Sequence, residues 1–337
     1  AVSIAADIVP ITGENRVLAY YGLQLINKNP RPGIEAVLSH ANVYRIEEEL
    51  VIDSEHPQNV LNKEVTISDL VFMIGPRINA AGRLEKASDS VRLLISDKKE
   101  HAEKLAASIN DLNAKRREFD NRITEEALAM IEQDERLLNA KSTVIFNENW
   151  HKGVIGIVAS RLTDYYYRPT IVLTRSNNLI TGSARSIKNF DIYDAIDNCS
   201  DLLEHFGGHK YAAGLSLKPE NLDEFSRRFE EYVANNIDKE ELVPELNVDL
   251  EINFSDITPK FVRVLRQFAP FGPGNMAPVF LSKNVIDTGF SRSVGNKKHL
   301  KLTVAQKDVP DMVFAGIAFQ KGDAYNRVRS KEPFAIC

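Results

Sequence analysis

At 337 residues, with 43% hydrophobic and 26% charged side chains, the chain has the composition of a folded globular protein of two or three domains. No stretch approaches the roughly 18 consecutive apolar residues of a membrane span, so a membrane role is not expected. The net charge of −5 argues against attraction of a polyanion by the whole surface and leaves a local basic cleft as the way to bind one.

From the start through about Asn29 the pattern reads as a buried strand (AVSIAADIVP), a turn at ITGEN and a helix. Thr12 is its candidate N-cap, and Val17, Leu18, Tyr21 and Leu25 recur at helical spacing. Pro30 and Pro32 end it. Short helices and loops follow to residue 65, with an acidic patch at Glu47–Glu49. From Ser88 to about Glu135 one helical stripe carries Leu105, Ile109, Leu112, Phe119, Ile123 and Met130 without a Gly or Pro. Such a stripe suits either a brace between domains or a helical hairpin. STVIFN and PTIVLT then flank the amphipathic VIGIVASRLTDYY, a strand–helix–strand unit that implies a parallel pair. LITGSARS reads as a further strand, Asp194–His205 as a helix broken by Gly207 and Gly208, and AAGLSLK as one more strand. Beyond Asn247 several antiparallel strands and a helix at Pro259–Phe268 suggest a small barrel whose last strands are missing. The chain opens and stops on strand-like runs, and the expectation is a portion of a longer protein. Two cysteines, Cys199 and Cys337, are too few for a disulfide framework and suggest a reducing cytoplasm.

Six segments carry candidate chemistry. In FGGHKYAAG, Gly207 and Gly208 let backbone approach a ligand and His209 can donate to a phosphate oxygen; a structural turn with a surface histidine is the plainer reading. In GSARS, Ser183 and Arg185 share one side of a strand and offer a hydroxyl and a bidentate guanidinium. GPRINAAGR sets Arg77, Asn79 and Arg83 among small residues, as a tight helix contact or a cationic lining. Trp150, His151 and Gly153 precede a helix N-terminus, a natural anion site, although a capped helix packing Trp150 into the core is the plainer reading. Asp7 sits in AADIVP as either a turn-former or a carboxylate at a strand's end. A basic strip, Arg292, Lys297, Lys298, His299 and Lys301, is either a solvated hairpin or a track for a single strand.

Taken together and in their order along the chain, the segments resemble the C-terminal part of the RecJ family of the DHH phosphoesterase superfamily, over essentially the whole chain. The resemblance implies an α/β fold in four parts: 1–70 as the end of a DHH catalytic domain, 71–137 as a helical connector, 138–237 as a DHH-associated α/β domain and 238–337 as a truncated oligonucleotide-binding (OB) domain. It implies a cytoplasmic exonuclease of DNA repair and recombination that takes single-stranded DNA from its 5′ end to its 3′ end. His209, Gly207 and Gly208 would face the cleaved phosphate, with Ser183 and Arg185 in the pocket for the 5′ end. Arg77, Asn79 and Arg83 would line the backbone path. Asp7 matches the last ligand of a two-ion Mn²⁺ or Mg²⁺ site. The family's D-x-D and Asp-His-His motifs do not occur in this chain, and no two of its seven histidines are adjacent. The resemblance therefore implies binding without cleavage by this chain alone. Two rival readings are a phosphodiesterase of short oligonucleotides or small nucleotides, and a non-catalytic replication-associated module of the same fold.

Overall fold

The computed structural model describes residues 1–46, 60–330 and 332–337. The acidic patch at Glu47–Glu49 lies outside them. The chain divides into two compact units, one made of Val2–Asp7 with Gly22–Glu245, the other of Ala1, Ile8–Tyr21 and Leu246–Cys337.

The chain begins with α1 (Val2–Ala6), α2 (Gly13–Lys28) and α3 (Pro32–Ser39). The segment expected as a first strand is thus helical. The five helical residues, VSIAA, are too few for periodicity to separate helix from strand, and their alanines favour helix. Thr66 caps α4 (Ile67–Asp69), which passes through a π-turn at Leu70–Ile74 into α5 (Gly75–Leu84). The long helical stretch is two helices, α6 (Ala87–Ile95) and α7 (Lys99–Gln133), parted at Ser96–Lys98. Along α7, Ala102, Ala106, Ile109, Leu112, Ile123, Ala127 and Ile131 form the buried stripe. A short α8 (Glu135–Asn139) leads to the sheet.

The sheet holds, among the described residues, β1 (Thr143–Phe146), β2 (Thr170–Ser176), β3 (Leu179–Arg185), β4 (Leu203–His209) and β5 (Ala212–Leu217) in the order β1-β2-β3-β5-β4. β1 and β2 are parallel and joined by α9 (Ile155–Tyr166), as the strand–helix–strand pattern implies; the other pairs are antiparallel. One face packs Ile171, Leu173, Ile180, Ala184, Leu215 and Leu217 under α10 (Ile192–Asp197) and α11 (Leu222–Asn236). On the other face, Ile145 and Val172 pack with α9 and with Ile123, Ala127 and Ile131 of α7. That second layer covers the β1–β2 side and stops short of β5 and β4.

The helix expected to run to His205 ends at Asp197, and the two glycines lie inside edge strand β4 rather than breaking a helix. The physical reason is close packing. A Cβ on Gly208 would stand 2.3 Å from the Ala212 carbonyl oxygen and 2.5 Å from Ala213 Cα. Glycine here admits the neighbouring strand.

In the second unit, β6 (Leu250–Glu251), α12 (Pro259–Arg266, capped by Thr258), β7 (Phe280–Asp287), β8 (Arg292–Val294), β9 (His299–Gln306), β10 (Val309–Ala318), α13 (Tyr325–Val328) and β11 (Phe334–Ile336) follow in turn. The sheet runs β10-β9-β7-β11, with β6 parallel to β7 and β8 against β9. Phe254, Val285 and Val304 centre its core. The Ile8–Tyr21 stretch joins this unit closely: Ile11 N–H donates to the Pro273 carbonyl at 2.6 Å and Arg16 Nη2 to Phe268 O at 2.9 Å.

Candidate phosphate-binding site

Strand register sets the site. Arg185 pairs with Ala212, and Ala212 pairs with His209; Ser183 pairs with Gly214, and Gly214 with Gly207. Directly opposed residues share a face. Ser183, Arg185, Gly207 and His209 therefore rise from one side of the sheet, opposite the α10–α11 core. Strand spacing of about 4.8 Å puts His209 about 9.6 Å from Arg185 at the backbone. Between Ser183 and the sheet edge, two positions of the row carry no side chain, and a Cβ on Gly207 would meet nothing within 4 Å. The result is a shallow, uncovered floor with a guanidinium on one side and an imidazole on the other.

Local contacts fix how these groups are presented. The Tyr211 N–H donates to His209 Nδ1 at 3.2 Å, which leaves Nε2 as the outward donor of the neutral ring. Arg185 Nη1 donates to Ser183 Oγ at 3.0 Å and to the Ala184 carbonyl at 2.7 Å, so hydroxyl and guanidinium act as one unit. Burial lowers the Arg185 pKa from its ordinary value, and the nearby Arg83 guanidinium lowers it further. Two cations at close quarters favour an anion between them. The first turn of α9 abuts the same pair: a Cβ on Gly156 would lie 2.9 Å from Ser183 Oγ and 3.1 Å from Arg185 Nη2.

The other expected residues divide. Arg83 Nη1 donates to the Gly153 carbonyl at 3.2 Å, and its own carbonyl lies against Gly153, which ties the end of α5 to the entry of α9. Arg77 departs from the expected cationic lining. Its Nε donates to Asn110 Oδ1 at 3.1 Å, Nη1 to Met73 O at 2.6 Å and Nη2 to His40 O at 2.9 Å, so it braces helices. Asn79 Nδ2 donates to the Ala6 carbonyl at 3.2 Å and so holds the segment carrying Asp7. Asp7 is exposed at the end of a five-residue helix instead of at a strand's end. Among the described residues no group of three or more His, Cys, Asp or Glu gathers as metal donors, Asp7 included. Trp150 is in the core, its Nε1 donating to Glu126 Oε2 at 2.7 Å, and His151 stacks on Phe119. The basic strip is a hairpin in which Arg292 and Lys301 are direct cross-strand partners, an arrangement of like charges that an anion relieves.

Sequence reading missed several groups. Thr181, Ser216 and His205 form a third polar row on the same face of the sheet; only strand register reveals it. It also missed Asp120, fully buried on α7 beside Arg116 of the same helix and Arg161 of α9. A signal existed, since Arg116 and Asp120 fall on the helical stripe that otherwise carries Leu112, Ile123 and Ala127.

Comparison with known proteins agrees with this architecture. Residues 139–235 match the DHHA1 domain and residues 248–337 the RecJ OB domain. The chain is 35% identical to the single-stranded-DNA-specific exonuclease RecJ of Bacillus subtilis (strain 168) over 308 residues, 90% of this chain and 36% of that protein. It is 34% identical to the RecJ of Escherichia coli (strain K12) over 316 residues, 90% of this chain and 51% of that one. The crystal structure of RecJ in complex with Mn²⁺ from Thermus thermophilus superposes with a TM-score of 0.75 at 28% identity, over 96% of this chain and 43% of that one. The chain thus spans roughly a third to a half of the relatives it matches.

Proposed function

Because this chain belongs to the RecJ family along the portion it shares with those proteins, we propose that it is the phosphate-gripping part of a metal-dependent exonuclease acting on single-stranded DNA from 5′ to 3′. One observation carries the reading: Arg185 and His209 flank one bare stretch of sheet, with Ser183 and Gly207 in the adjoining row. The Arg185 fork and the Ser183 hydroxyl take the phosphate of a strand's 5′ end. The His209 Nε2–H donates to an oxygen of the phosphodiester next in line. Both are charge-assisted contacts, short and directional. The row left empty by Gly207 and Gly214 admits the sugar-phosphate backbone close to the sheet.

In this family two divalent ions, Mn²⁺ or Mg²⁺, supply the activated water and neutralise the developing charge. The donors described here do not fit such a pair, because hard divalent ions take six or more oxygen ligands and Asp7 offers one carboxylate. The role of this chain is therefore to seat the strand, and cleavage by it alone is not expected. The basic hairpin of the OB unit gives the strand a second, sequence-tolerant contact.

The test is a comparison of ligands and of turnover. The chain is titrated with a 5′-phosphorylated oligothymidylate and with a dinucleotide, then incubated with the oligomer and Mn²⁺. Tighter binding of the oligomer without hydrolysis supports the proposal. Preference for the dinucleotide points to a small-nucleotide enzyme, and hydrolysis refutes the division of labour.

A further inference from the structure

The third row of the sheet is a polar surface that the grip described above does not use. Thr181 of β3 pairs with Ser216 of β5, and Ser216 with His205 of β4. Alternation along β4 sends Phe206 toward the α10–α11 core and His205, Gly207 and His209 to the opposite side. His205 is exposed, and Ser216 and Thr181 are half-buried. Among the described residues neither the His205 ring nor Ser216 Oγ has a hydrogen-bond partner. Thr181 Oγ1 donates to the Leu215 carbonyl at 3.3 Å, which leaves its own lone pairs open.

Spacing sets what this row can reach. Residues two apart on a strand are separated by about 6.8 Å, so the third row lies one such step from Ser183 and two from Arg185. A phosphate shared by that pair is therefore about 10 Å from the third row at the backbone. Between them lies the second row, bare at Gly214 and Gly207. A Cβ on Gly207 would meet nothing within 4 Å, and one on Gly214 only the Gly182 carbonyl oxygen at 3.9 Å. The gap has the length of one nucleotide, from its phosphate to the far edge of its base, with a hydrogen bond of about 3 Å at the end. The chemistry of the row suits a base better than a phosphate, because it holds no guanidinium or ammonium group. It offers the Thr181 acceptor, a Ser216 hydroxyl that can rotate, and an imidazole that carries a donor and an acceptor when neutral. The adjoining charges, Lys218 and Glu204, pair with each other at 3.7 Å.

We propose that Thr181, Ser216 and His205 form the subsite for the base of the 5′-terminal nucleotide, whose sugar passes over Gly214. The proposal rests on the strand-seating reading above and deepens it. The first nucleotide is held at three points: its 5′-phosphate on Ser183 and Arg185, its 3′-phosphodiester on His209, and its base on the third row. These contacts tolerate any base, since the hydroxyl and the ring adapt to the edge they meet. They neutralise no phosphate, so they add affinity without adding salt dependence. A row that is only solvated would make no difference to any strand.

The experiment removes the base and keeps every phosphate. Binding to the 337-residue chain is measured for two 5′-phosphorylated oligothymidylates with a fluorophore at the 3′ end, one beginning with thymidine and the other with an abasic residue. Wild type, Ser216→Ala and His205→Ala are compared across a salt series, with circular dichroism to check folding. The wild type should bind the thymidine-ended strand about tenfold more tightly. Each variant should lose about threefold to tenfold on that strand, the scale of one or two hydrogen bonds, and nothing on the abasic-ended one. The logarithmic salt slope, about 0.7 per phosphate neutralised on a single strand, should not change. Equal wild-type affinities, variants that keep the full wild-type preference, or variants that weaken both strands alike overturn the proposal. So does a slope flattened by about 0.7, which would make the row a phosphate site. If one variant does not fold, the wild-type comparison and the other variant decide by the same criteria. A wild-type chain that binds neither strand refutes the functional reading and this inference with it, whereas equal binding of both strands refutes only the base subsite.

Discussion

Arg185 and His209 are both register partners of Ala212, one on each side of it, and so share a row on the α9 side of the sheet, running out from that helix toward the sheet edge. One strand, with its terminal phosphate on Arg185 and its next phosphodiester on His209, couples them although they stand about 9.6 Å apart at the backbone. Removing either should weaken binding of a 5′-phosphorylated oligomer by about tenfold to a hundredfold, the range for hydrogen bonds to charged groups. The informative quantity is the double-mutant cycle of Arg185→Ala and His209→Ala. A coupling energy of about 0.5 kcal/mol or more is expected for residues that share a partner. Strict additivity would mean that the two serve different ligands.

The two neighbouring glycines should separate stability from binding. Gly208→Ala drives a Cβ into the backbone of β5 at 2.3–2.5 Å, an overpacking that costs about 1–3 kcal/mol. Gly207→Ala meets nothing, so the melting temperature should hold, but the methyl group occupies the floor and should lower oligomer affinity. Thermal melts and anisotropy titrations of both variants check the contrast.

Arg77 makes a different case. With its Nε, Nη1 and Nη2 all bound to protein acceptors, Arg77→Ala should destabilise the fold by about 1–3 kcal/mol. The salt slope of oligomer binding should stay at the wild-type value. A folded, equally stable variant with a flattened slope would restore Arg77 to the phosphate path.

The two cysteines should also part company. Burial pushes the Cys199 thiol up to about 11, while Cys337 is exposed. At pH 8 iodoacetamide should modify one thiol in the folded chain and two in urea, read by mass spectrometry. The folded state holds the Cys199 proton longer than the unfolded state. Its stabilising contribution is therefore complete below the ordinary thiol pKa and is lost as pH rises through about 11.

Much of the α/β unit was legible in the sequence because its signals are local. The period changes cleanly at STVIFN, and the β1–α9–β2 unit follows from it. Three features escaped for identifiable reasons. Within AVSIAADIVP the helical part, Val2–Ala6, is too short to display a period, and Ser96–Lys98 parts two helices without a Gly or Pro. Gly207 and Gly208 look like a helix stop when only the chain is read, whereas their use is lateral, toward β5. The grip residues Ser183, Arg185 and His209 could be singled out as types, but their common face depends on the β3–β5–β4 register. Arg77 and Asp120 show the converse: a charged residue on a helix says little until its partners across the fold are known.

The central claim is that Arg185, with Ser183, receives a terminal phosphate. It is tested most directly by measuring the affinity of the wild-type chain and of Arg185→Ala for two otherwise identical oligothymidylates, one with a 5′-phosphate and one with a 5′-hydroxyl. The account predicts a preference of about tenfold or more for the phosphorylated strand in the wild type, abolished in the variant. Equal affinities in the wild type, or a preference that survives in Arg185→Ala, would contradict it.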